Sequence, residues 1–245
     1  MRYTVVLVFF LFSIFCGTKN IVTPLAPGDE FERALSYFEN KRYDQAISSF
    51  ERIILYHPSS EYVDDAQFWL GCSYFEKKDY EQAIVEFDYL INNFPNTSFL
   101  EQALLFRAKA YFLKAPNYDK DISEVKRAIE QFDEFIRQFP NSKYIEEVRG
   151  LILKARTRLA RKEFENGRLY IKLGKPKSAL LYFNYVIKNY PETEVSNEAK
   201  FEAAKLYQKM DDKENALRLY QELLENDIWK ERAAKRIETL KQKDE

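Results

Sequence analysis

Along this chain, apolar residues recur with a helical period, and the pattern comes in blocks. Each block has an alanine, an aromatic four positions later and, in four of five cases, a proline eight positions after that. The instances are Ala46/Phe50/Pro58, Ala83/Phe87/Pro95, Ala128/Phe132/Pro140, Ala179/Phe183/Pro191 and Ala216/Tyr220. Upstream of each alanine a small residue precedes a tyrosine by three positions: Ala34/Tyr37, Gly71/Tyr74, Ala108/Tyr111, Gly167/Tyr170 and Ala204/Tyr207. Small residues let two helices approach closely, the aromatic fills the gap toward the next pair, and proline ends the second helix. The pattern predicts an all-α chain, a superhelical array of five helix-turn-helix units.

Ala46 to Ala83 and Ala179 to Ala216 are each 37 residues apart, whereas the two intervals between them are 45 and 51. The 45 reflects 8 extra residues between the two helices of the third unit, a polar loop over 114–125. The 51 reflects 14 extra residues between Pro140 and Tyr170. Fourteen residues make about four helical turns, so this insertion lengthens a helix without rotating its apolar face and predicts one long helix over 144–173. After Tyr220 the repeat signature stops, and Ile228, Trp229, Ala233 and Ile237 form a short stripe suited to a C-terminal capping helix.

The repeating [AG]-x-x-Y…A-x-x-x-[FY]…P unit resembles the tetratricopeptide (TPR) signature. In TPR arrays the first helix of each repeat lines the concave face. That resemblance selects Phe31, Leu35, Phe38, Phe68, Cys72, Phe75, Leu105 and Phe112, with Trp69 and Phe106 adjacent, as an apolar groove in the front half. In the rear half it selects Arg161, Phe164, Arg168, Lys172, Glu198, Phe201, Lys205, Gln208 and Lys209, a charged and mostly basic set. An aromatic stripe at helical spacing equally suits a core, and both readings of these rings stay open. An aromatic groove fits an extended segment with alternating aromatic side chains, as an unfolded outer-membrane strand presents.

The N-terminus bears on location. Arg2 precedes an apolar run from Val5 to Phe15, shorter than the roughly 20 residues a membrane span needs, so residues 1–15 read as a signal peptide. Cys16 closes that run and resembles the lipid-bearing cysteine of bacterial lipoproteins; an ordinary cleaved signal or an uncleaved anchor are the alternatives. Gly17, rather than aspartate, follows it, which in that resemblance directs the protein to the outer membrane. Residues 16–29 then read as a lipidated N-terminus and tether, 30–143 as repeats one to three, and 144–245 as the long helix, repeats four and five and the cap.

The lipoprotein-like start, five repeats of near-37 period, the Ala115, Pro116, Asp119, Asp121 loop and the long helix before repeat four together resemble the BamD family. This family comprises TPR lipoproteins of the outer-membrane β-barrel assembly (Bam) machinery. The resemblance implies a lipid-anchored protein on the periplasmic face of the outer membrane of a Gram-negative type bacterium. It implies a front groove that binds unfolded outer-membrane proteins, and docking through Arg161, Arg168, Lys172, Lys205 and Lys209 to a POTRA-bearing, BamA-like insertase beside other Bam lipoproteins. Another TPR lipoprotein adaptor of the envelope, such as a pilus pilotin, is the alternative.

The remaining chemistry is sparse. A net charge of −1 gives no footprint for nucleic acid. The single histidine, His57, sits before Pro58 without partners spaced for a metal or a catalytic triad, and the six glycines form no phosphate loop. No cofactor or enzymatic activity is expected. Cys72, between Gly71 and Ser73 on a repeat helix, reads as a small apolar residue rather than a nucleophile.

Overall fold

The computed structural model describes residues 25–115 and 122–242. The expectations placed on residues 1–24, including the signal and Cys16, and on Pro116, Asp119 and Asp121, lie outside them. Among the described residues the chain forms eleven α-helices and one 3-10 turn. Five consecutive pairs are α1 (Pro27–Glu39) with α2 (Tyr43–Tyr56), α3 (Val63–Glu76) with α4 (Tyr80–Asn93), α5 (Leu100–Lys114) with α6 (Ser123–Gln138), α7 (Ile145–Lys172) with α8 (Pro176–Asn189), and α9 (Glu194–Lys209) with α10 (Lys213–Glu222). The 3-10 turn Leu223–Glu225 leads to the last helix, α11 (Lys230–Lys241). Helices α1 and α3, α3 and α5, and α7 and α9 also touch, so the odd-numbered helices make a layer of their own. No described helix is long and apolar enough to cross a membrane.

Two backbone corners, each repeated, build the array. Inside a pair, the chain turns through a left-handed residue: Lys41 (φ 58°), Lys78 (φ 67°), Gly174 (φ 68°) and Asp211 (φ 63°). The next residue's N–H then returns to the tyrosine carbonyl five back: Arg42 to Tyr37 at 2.8 Å, and Asp79 to Tyr74, Lys175 to Tyr170 and Asp212 to Tyr207 at 2.9 Å. This closes the helix end in the manner of a Schellman motif. Between pairs, the residue before proline leaves the helical region, at φ −131° for His57, −127° for Phe94 and Phe139, and −134° for Tyr190. Proline's ring forbids the helical conformation to its predecessor. The last pair has no proline; there the Asn226 side chain accepts from Ile228 N–H at 3.0 Å and Trp229 N–H at 3.3 Å and starts α11.

The repeated residues make the core. Ala46, Ala83, Ala128, Ala179 and Ala216, with Phe50, Phe87, Phe132, Phe183 and Tyr220, are all fully buried. Gly71 and Gly167 face these rings so closely that an added Cβ would lie 2.7 Å from Phe87 and 2.6 Å from Phe183. One buried cluster around Phe50 and Ile53 joins the first repeat to Ala66 and Leu70 of α3, whereas another runs from Leu104 across α7 to Leu240. At the cap the expected stripe is partly corrected: Trp229 and Ala233 are buried, but Ile228 is 69% exposed and Leu240 supplies the missing anchor.

Candidate functional site

The groove expectation divides once the side chains are placed. Phe68, Leu105 and Phe112 are 4%, 1% and 5% exposed, so they belong to the core and not to an accessible groove. Phe68 stacks on Phe99 at 4.3 Å and meets Phe87 at 6.1 Å, filling the gap between neighbouring helix pairs. Phe112 packs against Phe132 at 6.5 Å and is covered by the Arg158 guanidinium at 4.0 Å, which also donates to the Phe112 carbonyl at 3.1 Å. The place of Phe68 and Leu105, three before the small residue, holds Phe164 and Phe201 in the rear repeats, each 4% exposed. A position that is apolar in every repeat is a packing position. Phe31 occupies it in the first repeat, half-buried against Phe50 and Tyr62.

A second row behaves differently. Leu35, Phe38, Trp69, Phe75 and Phe106, from α1, α3 and α5, are all half-buried. Phe38 meets Trp69 edge-on at 5.0 Å, Trp69 meets Phe68 at 5.6 Å, and Phe75 meets Phe106 at 5.2 Å. The rings therefore form a seam across three odd-numbered helices, rooted in the core and open along one side. Lys109 lies over Phe106 at 5.2 Å and is paired with Glu147 on α7 at 2.6 Å. Cys72 is buried behind the seam, and burial pushes its thiol well above the ordinary value, which removes thiolate chemistry at neutral pH.

Where the seam carries Trp69 and Phe106, the rear repeats carry Glu165 and Glu202; where it carries Leu35, they carry Arg168 and Lys205. These rear residues pair with each other, Arg168 to Glu165 at 3.1 Å and Lys205 to Glu202 at 2.8 Å. Arg161 makes a two-pronged pair with Glu198 at 2.5 and 2.6 Å, tying α7 to α9. The expected basic surface is thus corrected: Arg161, Arg168 and Lys205 are matched by acids, while Lys172 and Lys209 are exposed. At the places of Trp69, Phe106 and Leu35 the rear repeats are therefore ion-paired, whereas the place of Phe38 and Phe75 holds Ile171 and Gln208 there.

His57 takes a structural part, its ring N–H donating to the Leu25 carbonyl at 3.0 Å and tying the start of the described chain to the first corner. Among the described residues no three His, Cys, Asp or Glu side chains gather as a metal site. Sequence reasoning passed over Arg232, Lys235 and Arg236 on α11, which line a cleft with Phe201 and Lys205. Their i, i+3, i+4 spacing was the available signal, hidden by treating α11 as a cap alone.

Comparison with known proteins places these features. No curated protein matches the chain. Among solved structures it is similar to TTC0263, a TPR protein of Thermus thermophilus, with 18% identity and a TM-score of 0.39 over 88% of this chain and 98% of that one. It is also similar to the TPR2AB domain of yeast Sti1 in its pHSP90 complex, with 15% identity and a TM-score of 0.46 over 86% and 84% of the two chains. The family model YfiO, described as outer membrane lipoprotein, matches residues 26–222, from the first turn of the array to the end of α10. The chain has a TPR-type fold and belongs to the YfiO family, the BamD family of the resemblance above.

Proposed function

We propose that this protein is a scaffold for outer-membrane β-barrel assembly, holding unfolded barrel segments on its front seam while its rear half docks to a POTRA-bearing insertase. The observation that carries the reading is the half-buried row Leu35, Phe38, Trp69, Phe75 and Phe106, whose rear counterparts include the ion pairs Arg168–Glu165 and Lys205–Glu202. Core packing accounts for the apolar position that every repeat shares; it does not call for Trp69 and Phe106 where the rear repeats carry Glu165 and Glu202, or for Leu35 where they carry Arg168 and Lys205. Rings with one open side offer an aromatic-bearing strand about 2 kcal/mol per side chain buried, before ordering costs. That suits weak, reversible binding in the micromolar range. On the rear half, Lys172 and Lys209 with the paired Arg161, Arg168 and Lys205 supply polar contacts, which act mainly on association rate and specificity.

The test uses Trp69 as reporter after Trp229→Phe. A peptide that alternates apolar and polar residues and ends in an aromatic, as a last barrel strand does, should shift Trp69 emission. Phe38→Ser with Phe75→Ser should weaken binding about tenfold or more while helical circular dichroism is kept. Phe112, being core, is left unchanged. Equal binding of a scrambled peptide without the terminal aromatic overturns the reading.

The same reading makes Cys16 the lipid-bearing residue of the mature protein. Stable anchoring needs more than one acyl chain. Cys16→Ala should therefore release the protein from the membrane fraction, and a mature form that takes up no lipid label would exclude Cys16 as the anchor.

A further inference from the structure

The cleft between α9 and α11 has a charge arrangement that folding does not require. Its cavity is about 380 Å³, and its walls are Phe201, Lys205, Arg232, Lys235, Arg236 and Thr239. Cavities of a few hundred Å³ hold small ligands. Lys205 has Glu202 at 2.8 Å, but Arg232, Lys235 and Arg236 make no ion pair with any described residue. Four arginines at other helix contacts have acids, Arg52 with Glu30, Arg107 with Asp88, Arg156 with Glu192 and Arg161 with Glu198, whereas Arg158 is held by the Phe112 ring and carbonyl. Like charges three and four residues apart on a helix repel; Glu231 and Glu238 on the same helix offset part of this around Lys235, while Arg232 and Arg236, four apart, remain like-charged neighbours.

Arg232 is also held in place. Its guanidinium lies 4.7 Å from the Phe201 ring centre and 4.5 Å from that of Trp229, and Trp229 is itself fixed by its indole N–H donating to Glu194 at 2.5 Å. Stacking occupies the face of a guanidinium and leaves its N–H edge for an oxyanion, which it grips with two parallel hydrogen bonds. The Tyr220 ring packs on Phe201 at 5.6 Å, and its buried hydroxyl has no hydrogen-bond partner among the described residues.

We propose that this cleft is a binding site for a phosphate group carrying two negative charges, either free in solution or as the phosphomonoester of a lipid headgroup. Arg232, Lys235 and Arg236 around one cleft, with Lys205 held by Glu202 beside them, match several oxygens on a single centre. The carboxylates of an extended acidic peptide lie about 6.6–7 Å apart on one side of the strand and spread charge along a line. The site is separate from the aromatic seam and stands whether or not the seam binds barrel segments; it shares only Lys205 with the residues proposed for docking.

The full-length chain carrying Trp69→Phe reports through Trp229, on which Arg232 stacks. Inorganic pyrophosphate, inorganic phosphate and glycerol 3-phosphate are titrated at constant ionic strength set with sodium chloride. A saturable change in Trp229 emission is expected, tightest for glycerol 3-phosphate if the source is a lipid headgroup and for the inorganic ions if it is free phosphate. Arg232→Gln with Arg236→Gln should weaken binding about tenfold or more, since each removes a charge-assisted contact. The exposed Lys235→Glu should do likewise without disturbing packing, and Arg218→Gln on α10 should change nothing. A response that only tracks ionic strength, an unchanged affinity in Lys235→Glu, or saturable binding of hexaglutamate with no response to any phosphate would overturn the proposal.

Discussion

Replacing Phe183 by alanine should cost about 3–5 kcal/mol, the range for removing a fully enclosed aromatic ring. Phe183 has no exposed surface; its ring lies 5.3 Å from Phe164, and it sits against Gly167 at the joint of α7 and α8. The cavity cannot collapse easily, because α7 is also tied to its neighbours by Arg156 to Glu192 and Arg161 to Glu198. For a chain of this size the thermal midpoint should fall by roughly 10 °C. The companion change, Gly167→Ala, should cost less: helix propensity favours alanine by about 1 kcal/mol, against about 1–3 kcal/mol for the crowded methyl. Phe183→Leu should relieve Gly167→Ala, since the atoms in the way are those of the ring. A midpoint lowered by less than about 2 °C in Phe183→Ala would mean that α7 and α8 do not share this packing.

The fold was legible because each repeat solves the same packing problem with the same residues. Alanine, aromatic and proline at fixed spacing leave little choice of architecture, and an insertion of whole helical turns left a single helix, Ile145–Lys172. The start of the array was less legible. Residues 27–29 look like tether because of their proline and glycine, yet Pro27 opens α1 and Asp29 and Glu30 stand in its first turn. Proline costs nothing where its missing N–H would be unpaired anyway, and acids favour a helix N-terminus. The left-handed corners were also hidden. Three of the four use Lys or Asp instead of glycine, so no residue type announced them.

The candidate site was half legible for a related reason. A helical stripe shows which residues are apolar, but not whether a position meets the next repeat or the open side. Phe68 and Trp69 are neighbours in sequence, yet one is core and the other lies on the seam. Comparing repeats supplies what a single stripe lacks, since a place that holds Phe68, Leu105, Phe164 and Phe201 is apolar everywhere and so is core. The rear ion pairs were readable too, with Glu165 to Arg168 and Glu202 to Lys205 at i, i+3 spacing. Arg161 to Glu198 spans two helices and needed the fold.

Glu30→Gln should loosen the first repeat by about 2–3 kcal/mol at neutral pH, selectively and with a defined pH dependence. Glu30 is fully buried on α1, where Arg33 donates to it and Arg52 of α2 grips it at 2.8 and 3.0 Å. Breaking a buried pair costs about 3–5 kcal/mol; the arginine side chains keep about a quarter to a third of their exposure, so water recovers part of that. Burial by itself would raise the Glu30 carboxyl, but hydrogen bonds from Arg33, Arg52 and Ser49 outweigh it and hold the group below its ordinary value. A folded value below the unfolded one means that the stabilisation is fully present above the unfolded value, near 4.3, and is lost as pH falls through the folded value. The wild-type chain should thus approach Glu30→Gln in stability only below about pH 4. Because the first repeat packs in a cluster that reaches only as far as α3, the loss should appear as faster amide exchange in α1 and α2, with α7 to α10 unchanged. Leu35 and Phe38 lie on α1, so peptide binding to the seam should weaken in parallel. Equal exchange in α1 for both chains at pH 7 would show that the ion cluster does not hold the first repeat, and with it this end of the seam, in place.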